Sequence, residues 1–190
     1  MWFCGLPGSG KSTISKIVFN LLQSKSRYTF SYISMDEIRP KIFPEPKYDD
    51  SERDAAYRAF VLLGSNLASN GINVILDGTG HKVVWRNFAR SECERFIEIY
   101  LRCPIELCIR RETKRMGKGD VRSKLYLDAL KRLETGEKIQ GLGKMPGVDE
   151  PFEESTNPEI TVDSSRPPQE VAEDVMSQLS RLAPSIFQKG

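Results

Sequence analysis

Residues Gly5-Leu6-Pro7-Gly8-Ser9-Gly10-Lys11-Ser12 follow the spacing G-x-x-x-x-G-K-[ST]. These residue types in this order serve one kind of chemistry. Glycines let the main chain curl until successive N–H groups aim at one cluster of phosphate oxygens. The positive end of a following helix adds to that field. A lysine at position 11 reaches the outer phosphates as a catalytic cation, and a hydroxyl at position 12 ligates a divalent ion. At about 7% glycine, a chance match in a chain of this length is on the order of one in a hundred. The expected nucleotide-binding set is therefore Gly5, Gly8, Ser9, Gly10, Lys11, Ser12 and Thr13, with ATP and Mg2+ as cofactors. The motif alone serves ATPases, GTPases and small kinases alike. The chain lacks an Asn-Lys-x-Asp guanine signature and is short, which favours a small kinase.

A kinase needs an acceptor side. Asp36 and Arg39 stand just after a β-rich run, Thr29–Ser34. A carboxylate there can take the proton of an attacking hydroxyl or join Ser12 at the metal, and an arginine three residues on can grip an anionic acceptor. Asp77-Gly78-Thr79-Gly80 ends a second apolar run, and Asp77 and Thr79 are expected to touch the acceptor or the metal shell. Asp-Gly is also an ordinary turn pair. Arg53 and Arg58 fall on one helix and face either the acceptor or solvent. Arg110, Arg111 and Arg115 border a basic stretch that could close over the reacting phosphate. His81 reads as a loop histidine, and Lys114, Lys118 and Lys124 as solvated charges.

The elements that must position these residues alternate. Trp2-Phe3-Cys4 is a short buried strand. Ile14, Ile17, Val18, Leu21 and Leu22 recur at helical spacing. Thr29–Ser34 is a second strand, followed by a polar loop with Pro40, Pro44, Pro46 and Tyr48. Ser51 and Asp54 resemble a capping box opening a helix with Tyr57, Phe60, Val61, Gly64, Leu67 and Ala68 on one face. Further strands are expected at 72–76, 96–101 and 160–162, and helices through Trp85 to Cys93, from Pro104, over Leu125–Leu133 and from Pro168. Alternation of this kind implies a three-layer α/β fold, a parallel sheet with helices on both faces. One domain spans residues 1–190, with a mobile lid and irregular substrate-covering region at about 112–150.

Composition narrows the class. Twenty-eight basic and 26 acidic side chains leave a net charge of +2, so no global field points to nucleic acid. A single histidine and four cysteines without a CxxC pair argue against a zinc site. Four reduced thiols fit a cytoplasmic protein, and no apolar run approaches the ~18 residues of a membrane span. The expected partner is a small anionic acceptor rather than nucleic acid or membrane, and a homodimer stays open.

Taken together, Gly5 to Ser12, Asp36-x-x-Arg39, Cys103-Pro104-Ile105-Glu106-Leu107-Cys108 with Arg111, and Gly147-Val148-Asp149-Glu150-Pro151-Phe152-Glu153 before Asn157-Pro158-Glu159 resemble adenylylsulfate kinase (APS kinase) over most of the chain. The resemblance implies a three-layer P-loop NTPase fold of nucleoside-kinase type with a five-stranded parallel sheet, and transfer from ATP to the 3′-hydroxyl of adenylylsulfate. Asp36 would be the base, Arg39 and Arg53 would hold the phosphosulfate end, and Arg111 with the loop after the last strand would border the adenine of ATP. Departures lie on the acceptor side: Met35-Asp36-Glu37 for Gly-Asp-Asn, Ala56 for an asparagine, Asp77-Gly78-Thr79-Gly80 for Phe-Ile-Ser-Pro, and no clear stacking phenylalanine near Gln140 to Pro146. The same positions resemble polynucleotide-kinase-like and seryl-tRNA-kinase-like enzymes, through Ser34-Met35-Asp36-Glu37-Ile38-Arg39 and Asp77-x-Thr79 with Arg86 or Arg90 downstream. A nucleic-acid hydroxyl as acceptor, and a nucleotide-binding regulator with weak hydrolysis, are the alternatives.

Overall fold

The computed structural model describes residues 1–115, 124–136 and 143–187. Five parallel strands form one sheet in the order β2-β3-β1-β4-β5. They are β1 (Trp2–Cys4), β2 (Phe30–Ser34), β3 (Asn73–Asp77), β4 (Glu98–Arg102) and β5 (Ile160–Asp163). Between them run α1 (Lys11–Lys25), α2 (Met35–Ile42), α3 (Asp50–Ser69), α4 (Val83–Glu92), α5 (Ile105–Arg115), α6 (Leu125–Thr135) and α7 (Pro168–Leu182).

Strand alternation sorts the core into two layers. Phe3, Ile75, Ile99 and Val162 pack with Ile14, Val18 and Leu22 of α1 and Val171, Val175 and Leu179 of α7. On the other face Trp2, Cys4, Leu76 and Tyr100 meet Tyr57, Phe60 and Val61 of α3 and Trp85 and Ala89 of α4. Each fully buried side chain of this size, Phe60 for example, contributes roughly 1.5–3 kcal/mol. The three-layer α/β architecture read from the sequence is the one observed. A third, smaller cluster joins Cys103 and Cys108 to Tyr126 and Ala129 of α6 and to Met145.

Two local readings change. The stretch after β2 is helical through Ile42, with Pro40 inside it. That proline forfeits one main-chain bond near the end of a short helix, a loss the acidic first turn (Asp36, Glu37) and the Phe43 N–H donated to Arg39 O (2.8 Å) help offset. The cap of α3 is Asp49, whose Oδ1 accepts from Glu52 N–H at 2.8 Å, so the Ser51–Asp54 pair lies inside the helix. Within the expected lid region, α6 and the turn at 146–150 are described. Lys118, Gln140 and the rest of 116–123 and 137–142 lie outside the described residues, as does the side chain of Arg115.

Candidate active site

Every strand ends at the same edge, and the chemistry-bearing residues gather there. The loop after β1 carries positive φ at Gly5 (144°), Gly8 (80°) and Gly10 (94°). At Gly8 the need is double: a Cβ would also sit 2.6 Å from the carbonyl oxygen of Cys108 on α5. The loop curls about the Leu6 carbonyl, which accepts from Ser9 N–H (3.0 Å) and from the Lys11 ammonium (2.8 Å). Gly5 N–H is spent on the Thr79 carbonyl at 3.3 Å, so Gly5 shapes the loop rather than donating into it. Ser9 Oγ is buried without a hydrogen-bond partner among the described residues. Gly10 caps α1, whose first turn holds no acidic side chain. An orphaned hydroxyl, a lysine and a helix N-terminus on one curl suit a phosphate chain. Ser12 and Thr13 are exposed at that turn. Among the described residues no cluster of His, Cys, Asp or Glu could hold a metal alone. A Mg2+ ion would therefore take most of its ligands from phosphates and water.

The acceptor wall is built by α2 and α3. Asp36 is exposed in the first turn of α2. Arg39, one turn on, is buried; its Nη1 meets Glu52 Oε1 at 3.3 Å, and its guanidinium faces the rings of Tyr48 (5.3 Å) and Tyr57 (6.0 Å). Glu52 is fixed in turn by Lys47 N–H at 2.5 Å. Arg53 donates to the main-chain carbonyls of Tyr48 (3.1 Å) and Lys144, and pairs with no carboxylate among the described residues. Arg58 points elsewhere, into an exposed pair with Asp54 at 2.7 Å. Of the two arginines on this helix, only Arg53 joins the site.

Asp77 ends β3 in register with Ser34 of β2 and Phe3 of β1. It is buried, and its Oδ2 accepts from the Tyr32 hydroxyl at 2.8 Å. Thr79 meets the phosphate loop through its carbonyl. His81 lies in the loop between β3 and α4 and is buried there, edge-on to Trp85 and 2.9 Å from Glu150 Oε2. Burial pushes its imidazole down to about 4 despite Glu150, so the ring is neutral at pH 7.

The chain from 143 to 159 runs as a strap from this edge back to the start of β5. Lys144 bridges Asp50 and Glu150 at 2.8 Å each, and Arg132 pairs with Asp149. Arg86, wholly buried, meets Glu98 at 2.9 Å and donates to the carbonyls of Gly80 and Glu153. Arg90 meets Glu159 and, at 3.6 Å, Glu98. Arg111 donates to Ser164 O (3.0 Å), Ser165 O (3.3 Å) and Ser9 O (3.5 Å), spanning the phosphate loop and the loop after β5. Arg110, Lys114 and Lys124 are exposed. Sequence reasoning missed Glu52, Tyr32 and the arginine anchors of the strap. Partners separated by 13, 45 and 12 positions leave no local signal.

The sequence model of the adenylylsulphate kinase family matches residues 1–163. The chain belongs to that family. A "Probable adenylyl-sulfate kinase" of Archaeoglobus fulgidus is 33% identical over 166 residues, covering 87% of this chain and 96% of that protein. One of Pyrococcus abyssi is 31% identical over 183 residues, covering 96% and 95%. The APS kinase of Mycobacterium tuberculosis, solved with AMPPNP and APS, superposes with a TM-score of 0.75 over 94% of this chain and 95% of that one, at 24% identity. This member of the family is thus a P-loop kinase, a transferase, by descent as well as by architecture. The second resemblance loses its downstream arginine, because Arg86 and Arg90 are committed to the strap. Among the described residues no helix is long and apolar enough to cross a membrane.

Proposed function

We propose that this kinase transfers the γ-phosphoryl group of ATP, with Mg2+, to the ribose 3′-hydroxyl of adenylylsulfate. The observation that carries the acceptor assignment is Arg53. Its guanidinium is held by two main-chain carbonyls and left without a carboxylate, at the wall that also carries Asp36 and Arg39. A guanidinium with no direct carboxylate partner among the described residues suits an anionic acceptor. The relatives' names supply the acceptor's identity.

In this reading Gly8, Ser9, Gly10 and Thr13 surround the triphosphate with main-chain donors, and Arg111 borders the adenine. Lys11 leaves the Leu6 carbonyl for the β- and γ-phosphates and stabilises charge on the transferred group. Asp36 accepts the proton of the 3′-hydroxyl as its oxygen bonds to phosphorus and the β–γ bridging oxygen departs with ADP. Arg39, oriented by Glu52 and two phenol rings, and Arg53 hold the phosphosulfate. Thr79 lies between the two substrates. Mg2+, held by Ser12 and the phosphates, would supply charge neutralisation. The stretch 112–150 acts as the covering segment of a single kinase domain.

A coupled ADP-release assay with adenylylsulfate, nucleosides, sugars and RNA 5′ ends tests the proposal. Turnover dependent on adenylylsulfate is expected. Turnover on RNA ends alone, or slow ADP release indifferent to every acceptor, would overturn it.

A further inference from the structure

The chemistry above uses the ring of Tyr57 and gives its hydroxyl no task. The ring is firmly placed. Tyr57, on α3, stacks on Trp85 at 4.1 Å and on Trp2 at 5.9 Å, meets Phe60 edge-on and faces the Arg39 guanidinium at 6.0 Å. Its hydroxyl ends at the loop after β3, where it accepts from Gly80 N–H at 2.9 Å. The carbonyl of that same peptide, Thr79 O, accepts from Gly5 N–H of the phosphate loop at 3.3 Å. One peptide unit therefore joins the phenol to the nucleotide side.

The proton of this hydroxyl is the anomaly. Among the described residues the buried tyrosines are Tyr57, Tyr100 and Tyr126. Tyr100 donates to Glu154 at 3.0 Å and Tyr126 to the Pro7 carbonyl at 2.9 Å. The Tyr57 hydroxyl only accepts, and no described residue takes its proton. A buried O–H left undonated costs free energy that an incoming oxygen would recover. The surroundings say what kind of oxygen. Burial raises the pKa of the phenol, Gly80 N–H, Arg39 and Arg53 pull it back, and Asp36 adds to the rise. The net rise keeps the proton in place at pH 7, and all three charged side chains lie within electrostatic reach of the phenol. A neutral donor beside two guanidiniums, one of them with no direct carboxylate partner among the described residues, suits an oxyanion. The N–H received from Gly80 polarises the phenol and makes it the stronger donor.

We propose that the Tyr57 hydroxyl binds the acceptor directly, donating a hydrogen bond to an anionic oxygen of the phosphosulfate that Arg39 and Arg53 hold. Tyr57 is then a specificity-determining residue on the acceptor wall, and Asp36 remains the base. The inference rests on the adenylylsulfate reading above.

Tyr57→Phe is the test, since it removes one oxygen and keeps the stacked ring. Coupled ADP release is measured with adenylylsulfate and ATP varied in turn, and the affinity for the ATP analogue AMPPNP by titration calorimetry. The KM for adenylylsulfate should rise about tenfold or more, the size of a lost hydrogen bond to a charged group. The kcat, the KM for ATP and the AMPPNP affinity should each stay within about twofold. A rise in the adenylylsulfate KM of less than about twofold overturns the proposal. So does an equal weakening of adenylylsulfate and AMPPNP, which marks the hydroxyl as a support for the Thr79–Gly80 peptide and the phosphate loop behind it. A fall confined to kcat overturns it too, because the hydroxyl then serves the base and not the anion. An unaltered protein that turns over other acceptors and ignores adenylylsulfate would instead sink the acceptor assignment on which the inference rests.

Discussion

Arg86→Met is the perturbation with the most to teach about how the acceptor side is held. Arg86 and Glu98 are both essentially buried, with side chains 0% and 2% exposed and 2.9 Å apart. Removing one member of such a pair leaves the other charge stranded, a loss of about 3–5 kcal/mol. Two neighbours soften the blow. Arg90 stands 3.6 Å from Glu98, and the Ser155 hydroxyl donates to both its oxygens at 2.7 and 2.8 Å. Against that, the carbonyls of Gly80 and Glu153 lose their guanidinium donor. About 3 kcal/mol is therefore expected, a large share of the 5–15 kcal/mol that stabilises a typical domain. Urea unfolding followed by tryptophan fluorescence measures it. The double variant Arg86→Met with Glu98→Leu should recover part of the loss, because an apolar pair of similar volume leaves no uncompensated charge. Limited proteolysis should find cleavage between 143 and 159 sooner in the single variant, and the KM for the acceptor should rise more than kcat falls. A loss below about 1 kcal/mol, or a double variant less stable than the unaltered protein by the sum of the two single losses, would refute the argument that this pair anchors the strap.

Asp36→Asn should lower kcat by about 10²–10⁴ while nucleotide affinity, read by titration calorimetry, stays put. Arg53→Ala should raise the KM for adenylylsulfate and leave the KM for ATP within about twofold. Gly8→Ala places a Cβ against the Cys108 carbonyl at a positive φ, costing about 1–2 kcal/mol from the backbone alone. Weaker AMPPNP binding and a lower Tm are the expected readouts. For His81 the folded state, with its imidazole at about 4, binds a proton less readily than the unfolded chain at about 6.5. The stability this represents is fully present above pH 6.5 and is lost as pH falls toward 4, about 3 kcal/mol in all. Urea midpoints measured at pH 7.5 and 4.5 should differ less in His81→Asn than in the unaltered protein.

What was legible in the sequence was whatever chemistry writes at short range. The phosphate loop needs its glycines, lysine and serine within eight consecutive positions, and strands or helices announce themselves by period. The helix over Met35–Ile42 was hidden by Pro40, which reads as a breaker although a short helix tolerates it late. The cap of α3 went to Asp49 because it stands three residues before Glu52, whose N–H it accepts; Ser51 offered an equally good local pattern. The acceptor wall was legible as residue types and not as partners. Nothing near Arg39 in the chain points to Glu52 and Tyr48, and nothing near Arg86 points to Glu98 and the main chain of Glu153. Those are contacts of topology, made when parallel strands bring distant ends to one edge.

The backing of the phosphate loop has a consequence for communication within the domain. Gly8 lies against the main chain of Cys108, and the Tyr126 hydroxyl donates to the Pro7 carbonyl at 2.9 Å. Helices α5 and α6 therefore rest on the very curl that must grip a triphosphate. A ligand that tightens the curl stiffens both helices without touching either. Amide protons across 125–135 should exchange with deuterium more slowly once AMPPNP is added, which would make α6 the domain's own gauge of nucleotide occupancy.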